Sequence, residues 1–180
     1  MQRRLAGLVA AAILAAGCAR AGTAAPQSAS TAKPDLPGPP SSAIPARVVS
    51  VTDGDTIVLR GIDVGELHRP TGGRKARLIG VDTPEVYGHH ECYGSTASAF
   101  TRDALEGADV HVAFDVGRTD RYGRALVYVW DDQGRFFNAA LVREGNAVQM
   151  TVPPNVRYAL LFTKLAREAR EAGRGLWSAC

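Results

Sequence analysis

Four acidic residues at turns, with three arginines near them, are the parts of this sequence best suited to chemistry. Asp53 and Asp55 flank Gly54 in one turn, and Asp82 and Glu85 bracket Thr83-Pro84 in another. Aspartate is common in turns because its short carboxylate bonds neighbouring backbone N–H groups, so any one of these alone means little. Two acid-bearing turns at strand ends that face one another are different. They could hold a hard cation such as calcium or magnesium, which takes carboxylate, carbonyl and water oxygens. Arg77 lies in a strand otherwise apolar at Leu78, Ile79 and Val81, while Arg121 and Arg124 flank Tyr122-Gly123. An arginine in a strand ordinarily keeps its head in solvent. Its planar guanidinium is also the group that grips phosphate through two parallel hydrogen bonds.

These residues need a scaffold, and the hydrophobic pattern supplies one. Ala46 to Val51 and Thr56 to Leu59 are β-branched runs separated by the turn residues Asp53-Gly54-Asp55. Gly61 to Gly73 is a polar loop, Lys75 to Val81 a third strand, Val110 to Phe114 a fourth and Ala125 to Trp130 a fifth. Asp131 to Gly134 turns the chain into Phe136-Phe137. Ser95 is expected to cap a helix ending at Gly107, and Asn138 to cap one closed by Gly145. A last helix after Asn155 puts Tyr158, Leu161, Phe162, Leu165, Ala166 and Ala169 on one face before Gly173 stops it. Short strands with helices between and after them predict a mainly β (α+β) domain: a five-stranded OB-fold barrel with about three packed helices.

Residues 1–17 have the form of an export signal, with Arg3 and Arg4 before an apolar run from Leu5 to Ala16 that is too short to span a bilayer. Ala15-Ala16-Gly17-Cys18 resembles a bacterial lipobox, in which Cys18 would carry lipid and anchor the protein to a membrane. Ordinary cleavage nearby, giving a secreted protein, is the alternative. Residues 18–46 are rich in Ala, Ser, Thr and Pro and predict a disordered tether, with the folded domain at 47–180. Without Arg3, Arg4, Arg20, Lys33 and Asp35, that domain holds 17 basic and 17 acidic residues. Neutrality counts against tight non-specific nucleic-acid binding by charge alone, unless a bound calcium ion adds positive charge where phosphate sits. Outside the cytoplasm Cys92 and Cys180 tend to pair; free buried thiols are the alternative. The two widely separated cysteines and the scattered histidines lack the ligand spacing of a zinc site.

Val51-Thr52-Asp53-Gly54-Asp55-Thr56, Arg77-Leu78-Ile79-Gly80-Val81-Asp82-Thr83-Pro84-Glu85, Tyr93-Gly94 with Ala97-Ser98-Ala99-Phe100, and Arg118-Thr119-Asp120-Arg121-Tyr122-Gly123-Arg124 follow one another along the chain. In order and wording they resemble the staphylococcal nuclease (thermonuclease) family. Asn138 to Gly145 and Gly175-Leu176-Trp177 continue the match, which covers the domain from about Arg47 onward. The resemblance implies an OB-fold barrel with three helices and one calcium ion, acting as a monomer that hydrolyses DNA and RNA to leave 3′-phosphate ends. Carried over by match, it implies that Asp55 and Asp82 bind calcium through carboxylates and Thr83 through its backbone carbonyl. Glu85 would orient or deprotonate the attacking water, and Arg77 and Arg124 would grip the phosphate and stabilise the five-coordinate centre. Asp53 would support the ligands from behind, and Arg121 and Tyr122 would touch a terminal phosphate.

The sequence also departs from the family pattern. Two tyrosines that stack on nucleotide in the best-known members should fall near Thr151 and Pro153, where this chain has neither. Stacking is worth roughly 1–3 kcal/mol per base, so weaker binding or a different pose is expected. The loop from Val86 to Cys92 is shorter than in those members and carries His89 and His90; the Gly61–Gly73 loop is longer. The rival expectation is a non-catalytic nucleic-acid or ligand-binding module of the same family. Intact Asp55, Asp82, Glu85, Arg77 and Arg124 speak against it.

Overall fold

The computed structural model describes residues 36–63 and 72–180. The expected signal segment, Cys18, most of the expected tether and much of the Gly61–Gly73 loop lie outside the described residues. Five strands close a barrel: β1 (Ile44–Val51), β2 (Thr56–Arg60), β3 (Arg74–Leu78), β5 (Asp109–Ala113) and β6 (Ala125–Asp131). Their order around the barrel is β1-β2-β3-β6-β5, with β5 returning to β1. All contacts are antiparallel except β3 against β6, which is parallel. A separate two-stranded pair joins β4 (Val81–Asp82) to β7 (Val148–Gln149). The helices are α1 (Gly94–Leu105), α2 (Phe137–Arg143) and α3 (Ala159–Glu171), followed by one short turn, α4 (Leu176–Ala179). This is the expected OB-type barrel with three packed helices, and four of its strands fall near the β-branched runs. The expected third strand, Lys75 to Val81, is broken by a turn at Ile79-Gly80 into β3 in the barrel and β4 outside it.

Alternation explains most of the walls. Val48, Ile57, Leu59, Ala76, Leu78, Val110, Val112 and Val127 are all buried. A register shift between Val48 and Ser50 lets β1 bend around the barrel while keeping Val51 inside. Strand β6 is buried on both faces, because Tyr128 and Trp130 point into an aromatic cluster with Phe136, Tyr158 and Phe162. That cluster packs α3 against the barrel and accounts for the unbroken apolar run from Ala125 to Trp130. Gly80, at φ +83°, is required there: a Cβ would lie 2.2 Å from the Phe162 ring.

Three further expectations are corrected. The domain does not begin at Arg47, since β1 starts at Ile44 and the Trp130 indole donates to the carbonyl of Pro37 at 2.8 Å. Leu36 and Ala43 also pack on the core. A polar, proline-rich stretch is ordered here because a buried indole N–H needs an acceptor. Asn138 is not a cap but lies inside α2, where its Oδ1 accepts from Val129 N and its Nδ2 donates to Ile79 O, each at 2.9 Å. It stitches the point where the chain leaves β3. Ser95 likewise sits inside α1, whose preceding residue is Tyr93 in a left-handed conformation, φ 70°.

The structure joins Cys92 to Cys180 in a disulfide spanning 88 residues, with Cα atoms 6.0 Å apart. The tail it holds is also pinned by Leu176 N donating to Gly145 O at 2.9 Å and by Arg170 over the Trp177 ring.

Candidate active site

The turn between β1 and β2 places Asp55 at 5% exposure, with its backbone N–H held by Asp53 Oδ1 at 3.2 Å. Its carbonyl accepts from Leu78 N and so ties the turn to the end of β3. Above it, the Thr101 hydroxyl of α1 donates to Gly54 O at 2.6 Å. The second acidic turn closes on the first: Thr83 donates to Asp55 Oδ2 through its backbone N at 2.8 Å and its hydroxyl at 3.0 Å. Thr56 Oγ1 donates to Oδ1 of the same carboxylate. Gly54 permits this approach, since a Cβ there would come 2.7 Å from the Thr83 side chain. The two turns therefore face one another.

Arg77 stands between them. Its Nη2 donates to Asp82 Oδ1 at 2.6 Å, and its Nη1 forms an ion pair with Asp55 Oδ2 without the alignment of a directed hydrogen bond. Two carboxylates from different turns thus converge on one cation. Burial lowers the affinity of the Arg77 guanidinium for its proton; Asp82 opposes that effect and the nearby Arg124 adds to it. Asp53 sits behind the pair, as a support for the Asp55 backbone.

Arg124 comes from the turn before β6, and Asp120 organises that turn. Its Oδ1 accepts from Tyr122 N and Arg124 N, each at 2.9 Å, and its Oδ2 accepts from Arg124 Nε at 2.7 Å. Burial alone would raise the Asp120 carboxyl, but the hydrogen bonds from Arg124 and Tyr122 outweigh it and hold the group below its ordinary range. Among the described residues, the two terminal nitrogens of Arg124 donate to no protein group. Arg121 donates to the Tyr122 hydroxyl at 2.6 Å and lies over its ring, which is 68% exposed.

Arg77, Arg121, Tyr122 and Arg124 line one cleft of about 470 Å³. Its other wall is aliphatic: Leu78, Ile79, Met150, Val152 and the cis-linked Pro153-Pro154. Of the two positions expected to lack tyrosines, Pro153 lines the cleft and Thr151 does not; Met150 and Val152 are the side chains that form this wall. Asn155 fixes the wall by pairing both its amide atoms with the backbone of Gly117, at 2.7 and 2.9 Å. Asp120 and Asn155 were not singled out from sequence. For Asp120 a local signal existed, an aspartate two residues before the backbone N–H it accepts from; for Asn155 there was none.

Glu85 is exposed, and among the described residues its carboxylate makes no hydrogen bond or ion pair. Its backbone is fixed instead: Glu85 N donates to Glu91 Oε2 and its carbonyl accepts from Glu91 N, both at 3.0 Å. Gly94 passes so close to that carbonyl that a Cβ would lie 2.5 Å from it.

The donor set agrees in kind with a hard divalent cation, being carboxylate and carbonyl oxygen throughout. Asp55 and Asp82 are drawn to one positive group, while Thr83 stands beside both. Among the described residues no three acidic, histidine or cysteine side chains form a ready-made cluster.

Residues 75–179 match the family model described as staphylococcal nuclease homologue. A thermonuclease of Staphylococcus intermedius is 35% identical over 133 residues, 72% of this chain and 74% of that protein. A thermonuclease of Staphylococcus hyicus is 33% identical, covering 73% of this chain and 75% of its own length. Endonuclease YncB of Bacillus subtilis is 33% identical over 148 residues, 78% of this chain and 67% of its length. The two facing acidic turns, the arginines between and beside them, and this extent of identity agree: the chain belongs to the staphylococcal nuclease family.

Proposed function

We propose that this chain is an exported, calcium-dependent nuclease that hydrolyses phosphodiester bonds of DNA and RNA and leaves 3′-phosphate ends. It is a phosphodiesterase, and the observation that carries the reading is the convergence of Asp55 and Asp82 on Arg77, an arginine that also lines the cleft of Arg124. Asp55, Asp82 and the Thr83 carbonyl would hold the calcium ion, and the chemistry such an ion supplies is Lewis-acid neutralisation of phosphate charge. Asp55 accepts from Thr56 and Thr83 and is ion-paired with Arg77, so a calcium ion held there would compete with the guanidinium for the carboxylates, and Arg77 already lines the cleft. In that cleft the Arg77 guanidinium would meet the phosphate, together with the terminal nitrogens of Arg124.

Glu85 takes a proton from water as the hydroxide oxygen bonds to phosphorus. The bond from phosphorus to the 5′ oxygen breaks, that oxygen takes a proton from solvent and leaves as the 5′ hydroxyl, and the phosphate stays on the 3′ oxygen. Arg77 and Arg124 act on the charge that develops in the five-coordinate state, a contribution of about 100- to 1,000-fold per donor. Arg121 and Tyr122 at the exposed rim contact a terminal phosphate. The export segment and Cys18 support a protein tethered to the outer face of the cell membrane or released from it.

The experiment is incubation of the purified chain with DNA and RNA, with and without a chelator, followed by calcium or zinc. Cleavage abolished by the chelator and restored by calcium is expected; cleavage that survives chelation, or returns with zinc alone, overturns the calcium reading. A module that binds without cleaving is the second reading, favoured by the saturation of Asp55 with protein donors. Retention of nucleic acid with no cleavage under any cation would establish it.

A further inference from the structure

We propose that Arg74 is a positioning residue that holds Arg124 in register with Arg77 through the carbonyl of Gly123, an inference that rests on the nuclease reading above. In the parallel ladder of β3 and β6, Ala76 stands opposite Ala125 and Arg77 opposite Leu126. Two residues earlier the same register brings Arg74 level with Gly123. No ladder bond follows there, because the chain turns at Gly123 with φ +78°.

The turn satisfies most of its own polar groups. Asp120 N donates to Arg124 O and Gly123 N to Asp120 O, each at 3.0 Å, while the Asp120 carboxylate takes the remaining donors. The Gly123 carbonyl accepts from Arg74 Nη2 at 3.1 Å, across 49 residues of sequence. One strand therefore carries both the first phosphate grip and, three residues before it, the brace for the second.

Two features argue against simple filling of the barrel end. The Arg74 Nε is buried and, among the described residues, has no acceptor, a cost that an apolar side chain of similar length avoids. Arg77 and Arg124 also repel one another, so their separation must be imposed by the scaffold and not by mutual attraction. A guanidinium aimed at Gly123 O imposes it one residue from Arg124.

The test compares R74M and R74K, with R74Q (polar, but too short to reach Gly123 O) in place of R74M should that variant not fold. R74M is expected to lower kcat about 10- to 100-fold at nearly constant KM, as small misplacements of reacting groups do. R74K, still able to donate to the carbonyl, recovers most of that loss. Adding R74M to R124K costs little further rate, because both changes remove one unit. A kcat within about threefold of wild type, a loss confined to KM, or multiplicative losses in the double variant each overturn the proposal. Amide hydrogen exchange is independent of turnover: the Gly123 and Arg124 amides should exchange about tenfold faster in R74M, with Val127 and Val129 unchanged. Unchanged exchange at Gly123 and Arg124 overturns the positioning role on its own. Wild-type protein that cleaves nothing would refute the nuclease reading, and the exchange measurement would still decide the role of Arg74.

Discussion

Replacing Cys92 and Cys180 together by alanine removes one covalent bond and leaves the rest of the tail contacts in place. The bond closes a loop between residues 88 apart. In the chain-entropy model a loop of that length restricts the unfolded ensemble by about 4–5 kcal/mol at 25 °C. Against a total of about 5–15 kcal/mol for an ordinary domain, that is a large share. Leu176 still bonds Gly145, Gly145 and Gly175 still cross at backbone contact, and Arg170 still covers Trp177. The folded state should therefore be nearly unchanged, and the loss should arise in the unfolded state. Urea titration followed by fluorescence of Trp130 and Trp177 reads both parts. The midpoint should fall, and the slope m should rise because an uncrosslinked chain exposes more surface. Melting temperature should drop by roughly 9–18 °C, at 2–4 °C per kcal/mol for a domain of this size. A stability change under about 1 kcal/mol with unchanged m would refute the reasoning. It would show that the unfolded chain keeps the tail near the Cys92 loop without the bond.

Two further outcomes are expected. Arg77→Lys and Arg124→Lys keep the charge but lose the planar fork, so each should lower kcat about 100-fold or more while thermal unfolding stays near wild type; near-wild-type turnover in both would make these arginines structural. The Asp120 carboxyl is held below its ordinary value, so its contribution to stability is complete above the unfolded value and is lost as pH falls through the folded one. The stability gap between wild type and Asp120→Asn should shrink between about pH 5 and pH 2; a gap constant from pH 2 to 7 would show that the carboxylate charge is not what holds the Arg124 turn.

The sequence by itself determined the barrel and the helices, and it offered the acidic turns and the arginines from which the candidate site is built. Local patterns carry that information: β-branched alternation makes Thr56 to Leu59 and Ala125 to Trp130 strands wherever they end up, and Asp-Gly-Asp makes a turn in most contexts. What the tertiary structure decided are the partnerships between distant residues. Trp130 draws Pro37 into the fold, Asn138 gives up a cap to stitch the end of β3, and Asn155 leaves the helix start to fasten Gly117. In each case a polar group becomes buried, and its partner is whichever complementary group the packing brings within reach; nothing local specifies it. Arg74 belongs with them. As a residue in a polar stretch it was indistinguishable from its neighbour Lys75, and only the parallel register of β3 and β6 sets it against the turn that carries Arg124.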